Sequence, residues 1–210
     1  MADSLFFTTV SARLVLSFLA MAVLSYLPIA PTLAKNNTDR SSEFTWWTEK
    51  QPNGHRWVKA KLHIQASPEI VWQSIHSEQN GDADLVYRKV LSHGLNDVVS
   101  EQKLAHLPII GTAVSTMHTT EVPLKRIDYS MVKSDRFKAL EGSWVLTPAS
   151  NKCTYLELSS YCDIGIPIPR PLREGITVKK LEKRLVNVKH NSELAQFQIA
   201  AEKTPAERLD

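Results

Sequence analysis

Residues 57–72 read Trp57-Val58-Lys59-Ala60-Lys61-Leu62-His63-Ile64-Gln65-Ala66-Ser67-Pro68-Glu69-Ile70-Val71-Trp72, and their periodicity changes midway. From Trp57 to Gln65, apolar Val58, Ala60, Leu62 and Ile64 alternate with polar Lys59, Lys61, His63 and Gln65. Alternation with period two describes a strand with one buried and one wet face. Ser67 then offers an N-cap, and Pro68 suits the first position of a helix. Glu69, Ile70 and Trp72 begin a short helix, which stops near Gln79-Asn80-Gly81-Asp82.

Downstream, strand follows strand. The segments fall near Leu85–Ser92, Asp97–His106, Ile109–Val122, Lys125–Ser134, Ala139–Thr147 and Cys153–Asp163. Short breaks rich in Gly, Pro, Ser and Asp separate them. None is long enough for a helical crossover, so neighbours are expected to be antiparallel. With the first strand, the count is seven. Ile166-Pro167-Ile168-Pro169-Arg170-Pro171 ends the sheet, because three prolines cannot continue a ladder. A long amphipathic helix follows from about Leu172 to Ala200. Val178, Leu181, Leu185 and Val188 form its apolar stripe, and Lys179, Lys180, Lys183, Arg184 and Lys189 are expected on the other side.

The 210 residues amount to one domain plus an appendage. Arg13 precedes an apolar run from Leu14 to Leu27, and Pro31-Thr32-Leu33-Ala34 supplies a small residue before Lys35. Residues 1–34 are therefore expected to be a cleaved secretory signal. An uncleaved membrane anchor is the alternative, since Leu14 to Ala30 lies at the lower limit of the ~17–25 residues needed to span. Residues 35–55 read as a flexible polar leader, interrupted by Trp46 and Trp47, which either pin it to the domain or sit at a membrane interface. The domain is expected over 56–201, with a polar tail at 202–210.

A net charge of +3 is too mild to imply nucleic acid. Cys153 and Cys162 lie nine residues apart in one expected strand. That separates them by ~30 Å on opposite faces, far beyond disulfide reach, so both are expected to be free thiols.

The chain carries little catalytic signature. None of its seven histidines sits in a metal-binding motif, and no C-x-x-C, Gly-rich phosphate loop or G-x-S-x-G elbow is present. No metal and no cofactor are expected. His118, mid-strand beside Thr116 and Thr120, is a weak catalytic candidate; the competing reading is a surface histidine of the sheet. Glu121 and Asp128 flank the Val122–Ile127 turn, as a carboxylate pair or as surface partners of Lys125 and Arg126.

Four stretches carry a resemblance. They are the strand leading into Ala66–Trp72, the run Phe137-Lys138-Ala139-Leu140-Glu141-Gly142-Ser143-Trp144-Val145-Leu146, the run Thr154-Tyr155-Leu156-Glu157-Leu158, and Ile166-Pro167-Ile168-Pro169 before the last helix. In this order the chain from Trp57 to Ala200 resembles the helix-grip superfamily of START lipid-transfer domains, polyketide cyclase/dehydrase-like proteins and coenzyme Q-binding proteins. It departs at His76–Asp82, which is more polar than the aromatic, acidic stretch often found there. The resemblance implies an α+β helix-grip fold: a curved seven-stranded antiparallel sheet wrapped on the C-terminal helix, with a hydrophobic cavity between. The residues expected to wall that cavity are Trp72, Met117, Tyr129, Met131, Trp144, Leu146, Leu156, Leu158, Leu181 and Leu185.

The leading functional expectation is non-catalytic binding or transport of a hydrophobic small molecule (lipid, quinone or polyketide-like) outside the cytoplasm. The alternatives are a cyclase/dehydratase-like enzyme acting on a bulky apolar substrate, and a membrane-surface module that uses the basic face of the last helix.

Overall fold

The structure, a computed structural model, describes residues 44–203. The expected signal or anchor, the leader as far as residue 43 and the tail from residue 204 lie outside the described residues. Eight strands and two helices follow in the order β1 (Thr45–Lys50), β2 (Arg56–Ile64), α1 (Pro68–Asn80), β3 (Leu85–His93), β4 (Asp97–Leu107), β5 (Gly111–Val122), β6 (Arg126–Ser134), β7 (Ala139–Ser150), β8 (Cys153–Asp163) and α2 (Arg170–Lys203). All strands form one antiparallel sheet in the order β1-β2-β8-β7-β6-β5-β4-β3. This is the expected helix-grip architecture with eight strands instead of seven.

The additional strand lies within the stretch read as leader. β1 pairs with β2 from Thr45↔Lys61 to Lys50↔Arg56. Its sequence, Thr-Trp-Trp-Thr, favours a strand, and the edge of β2 supplies open backbone groups for it. Phe44, just before it, packs on the core. Trp46 is half exposed on this edge.

Local sequence explains other details. Ser67 precedes α1, but its side chain makes no capping bond to the helix backbone. Its hydroxyl instead bonds the Glu69 carboxylate, which lies below its usual range for that reason first. β5 begins at Gly111, not at Ile109, because Ile109 adopts φ +74 and Gly111 φ +71. A left-handed β-branched residue breaks a ladder and is strained. Cys153 and Cys162 lie at opposite ends of β8, and both are free.

The core is built at one end of the sheet. Val58, Ala60, Leu62 and Ile64 of β2 meet Leu156 and Leu158 of β8, Trp144 and Leu146 of β7, Val71 and Ile75 of α1, and Leu181, Leu185 and Val188 of α2. α2 packs chiefly on β2, α1 and β8. The strands farther along, β3 to β6, curve on beyond that clamp. A second, smaller cluster forms there around Leu104, Leu107, Ala113 and Phe137.

Candidate functional site

Between the β3–β8 part of the sheet and the first half of α2 lies a cavity of about 410 Å³. That is within the ~300–1,000 Å³ of small-ligand pockets. Sheet alternation supplies most of its wall. On β4, Val98, Ser100, Gln102 and Leu104 point inward, and on β5, Met117, Thr119 and Glu121 do. One side is apolar, formed by Leu85, Leu104, Leu107, Ile110, Phe137 and Leu140, joined by Ile164, Ile166 and Ile168 of the proline-rich approach to α2.

The other side is polar and gathers about the C-terminal turn of α1. Glu78, almost completely buried, takes a bidentate pair from Arg184 of α2, with Nη2 to Oε2 at 2.8 Å and Nε to Oε1 at 3.0 Å. Burial penalises the Arg184 charge, yet hydrogen bonding and attraction from Glu78 outweigh it and hold the guanidinium above its usual value. The same guanidinium lies over the Trp144 ring, 4.9 Å from its centroid. Lys180 reaches Asp84 at 3.4 Å. Arg88 of β3 donates to the Asn80 and Gln102 side-chain oxygens, each at 3.3 Å. His76 of α1 and Glu121 of β5 face each other at 3.5 Å, and both line the cavity.

The ten residues expected in the wall divide among three places. Met117, Tyr129, Trp144 and Leu181 line the cavity. Leu146, Leu156, Leu158 and Leu185 are buried in the solid core, and Trp72 packs on its edge. Met131 packs against the smaller cluster. Tyr129 passes over Gly142 to donate to the Ser159 carbonyl at 3.2 Å. The space beside Gly142 is filled from within the fold: a Cβ there would run into the Ser159 carbonyl and the Tyr129 ring. Burial raises the Tyr129 phenol above its usual value, and burial pushes the Cys162 thiol, also in the wall, up to about 11.

His118 points the other way. It neighbours inward Met117 on β5, is 39 % exposed at its side chain, and faces Asp97 at 3.6 Å on the outer surface. The Glu121–Asp128 carboxylate pair does not form: Asp128 accepts from Arg126 at 2.7 Å, and Glu121 turns inward to His76.

The expectation for the basic side of α2 is corrected in part. Arg184 is only 18 % exposed at its side chain, and Lys189 is tied to Glu193 and to the His63 carbonyl. The sequence did hold a signal for this. Arg173, Thr177, Lys180 and Arg184 follow at +4, +3 and +4, a second helical stripe beside the apolar one. All four line the cavity. Arg88 had no comparable signal, since nothing in its strand distinguishes it from the outward Lys89.

Among the described residues no group of three His, Cys, Asp or Glu side chains is placed to hold a metal ion. No described helix is long and apolar enough to cross a membrane.

No protein-family model and no curated protein matches the chain. Solved structures do. A START superfamily protein from Mycobacterium smegmatis aligns with a TM-score of 0.54 at 14% identity, covering 70% of this chain and 99% of that one. The Zhui aromatase/cyclase from a Streptomyces species aligns at 0.53 and 13% identity, covering 68% and 94%. A STAR-related lipid transfer protein from Xanthomonas axonopodis aligns at 0.52 and 14% identity, covering 69% and 97%. What this chain shares with them is the START-like helix-grip fold.

Proposed function

We propose that this helix-grip domain binds and carries a hydrophobic small molecule in the cavity beneath α2. The observation that carries this reading is the hollow itself: about 410 Å³, walled on one side by leucine, isoleucine and phenylalanine. Each methylene moved there from water contributes ~0.8 kcal/mol. Ten such groups gain roughly 8 kcal/mol before the losses of association. No covalent chemistry is needed. Neighbours of the same fold include a lipid transfer protein, which supports a lipid-like occupant. The volume lies low in the range of small-ligand pockets, which favours one acyl chain or a compact ring system over a two-tailed lipid. The charged start, apolar run and small-residue exit of residues 1–34 support a site of action outside the cytoplasm. The test is native mass spectrometry of the purified protein together with titration by fluorescent lipid probes. Apolar adducts and saturable uptake are expected; repeatedly empty protein that takes up no probe sinks the reading.

A cyclase-like enzyme is the second reading, and one observation favours it. The His76–Glu121 pair lies in the cavity wall, where a base can act on a bound chain, and one neighbour of the same fold is an aromatase/cyclase. Turnover of a poly-β-keto thioester that disappears in His76→Ala and persists in His118→Ala is the expected outcome. Absence of turnover in the unaltered protein rejects it.

Membrane contact through α2 has less basic surface to work with than the seven Lys and Arg between Arg170 and Lys189 imply. Lys179 and Lys183 remain on its exposed side, and vesicle binding that weakens with salt would support it.

A further inference from the structure

We propose that the polar side of the cavity holds the anionic head, carboxylate or phosphate, of a single-chain amphiphile, with Arg88 as its principal partner. This rests on the reading of the cavity as a ligand container. Three cations of the cavity wall reach the end of α1 and the loop after it: Arg88 from β3 to Asn80, and from α2 Arg184 to Glu78 and Lys180 to Asp84. Two of them are committed, Arg184 to Glu78 at 2.8 Å and Lys180 to Asp84 at 3.4 Å. Arg88 has no carboxylate within ion-pair distance among the described residues. Its two partners are neutral amide oxygens at 3.3 Å, longer than the ~2.7–2.9 Å of charge-assisted bonds. An arriving oxyanion displaces them without leaving any charge unpaired.

The surroundings favour an anion there. Arg88 stays exposed on the edge strand β3; partial desolvation of its guanidinium, and next the repulsion of Arg184, draw it below its usual value, against the attraction of Asp82 and Glu78. Asp82 is the acid that faces Arg88, and its Oδ1 already accepts the Asp84 backbone N–H at 3.0 Å. The remaining acids near this end are engaged elsewhere: Glu78 by Arg184, Asp84 by Lys180 and Glu121 by His76. A planar guanidinium without an ion pair, opening on a cavity whose other side is apolar, matches an amphiphile's two chemistries. The head takes bidentate hydrogen bonds from Arg88, and the chain runs along Leu104, Leu107, Phe137 and Leu140.

The experiment compares cis-parinaric acid with its methyl ester by fluorescence titration of the whole protein. The unaltered protein is expected to prefer the acid by roughly tenfold, the size of one charge-assisted hydrogen bond. In Arg88→Met the acid-to-ester ratio falls close to one, and in Arg173→Met, which removes another guanidinium of the cavity wall, the preference persists. Arg88→Gln serves should Arg88→Met unfold. Equal affinities in the unaltered protein, or a preference that survives the loss of Arg88 or follows Arg173, overturn the inference while leaving the container reading intact. Uptake of neither probe takes away the container reading and this inference together. Displacement of bound parinarate then separates the sources: stronger competition by hexadecanoate assigns a carboxylate, and stronger competition by lysophosphatidate assigns a phosphate monoester. Displacement by inorganic phosphate alone, with no chain, overturns the amphiphile.

Discussion

The two halves of the sheet are made from the same alternation and face the same helix, yet one is solid and the other hollow. At the β1-β2-β8-β7 half, α1 and the later part of α2 press directly on the strands. Leu62, Leu156, Leu158 and Leu185 keep almost no accessible surface there. At the β3–β6 half, only the first turns of α2 stand opposite, and they carry Arg173, Thr177 and Lys180 where the later turns carry leucine and valine. Charged side chains resist full burial unless paired, so that end of the helix cannot close down on the sheet. Trp144 and Leu181 belong to both halves and mark the seam. The hollow is thus less a missing core than a core whose helix face has changed chemistry.

The sharpest way to break this comparison is a pair of truncations. Leu158→Ala, in the solid half, is expected to lose about 3–4 kcal/mol in urea unfolding, because a cavity opens among immobile neighbours. Leu140→Ala, in the wall of the hollow, is expected to lose about 1 kcal/mol, since its contacts are incomplete already. Equal losses would mean that the two halves are packed alike.

At the seam, Glu78→Gln leaves Arg184 buried without its counter-charge and is expected to cost about 3 kcal/mol. A loss below about 1 kcal/mol, typical of an exposed pair, would show that the bridge is open to water. Gly142→Ala drives a methyl group into the Tyr129 phenol and the Ser159 carbonyl. It is expected to cost about 1–3 kcal/mol by overpacking, and Tyr129→Phe in the same chain should recover little, because the carbonyl remains in the way.

Cys162, at the end of β8 that enters the cavity wall, reports on the hollow with a smaller effect. Its thiol is raised from the ordinary 9.0 to about 11, first by burial. A raised acid contributes stability that is complete below about pH 9 and is lost as pH climbs toward about 11. The unfolding midpoint should therefore decline across that window, and Cys162→Ser should flatten the decline. Iodoacetamide should label Cys162 slowly at neutral pH, and a bound ligand should slow it further. The smallest effect is at the rim. Ile109→Gly relieves a left-handed β-branched residue and should change stability by less than about 1 kcal/mol, in the favourable direction.

Part of this was legible beforehand and part was not. The turns, strands and long helix could be read because period two, period 3.6 and Pro or Gly punctuation are local properties of the chain. The edge strand at Thr45–Lys50 was missed because a short strand flanked by polar residues looks like leader until a partner with open hydrogen-bonding groups is supplied. Inward Leu156 and inward Met117 have the same pattern in sequence. One is crushed against a helix and the other walls a hollow.

By itself, then, the order of residues set which side chains of β2 and of the apolar stripe of α2 face inward, and that a single long helix would cover the sheet. The tertiary structure alone decided where that helix touches the sheet and where it stands off. Facing direction depends on the backbone a residue belongs to, whereas the width of a gap depends on side chains brought together from β3, β5, α1 and α2, far apart along the chain. Arg184 shows the consequence: it looked like one more surface charge until Glu78 and Trp144 were placed against it.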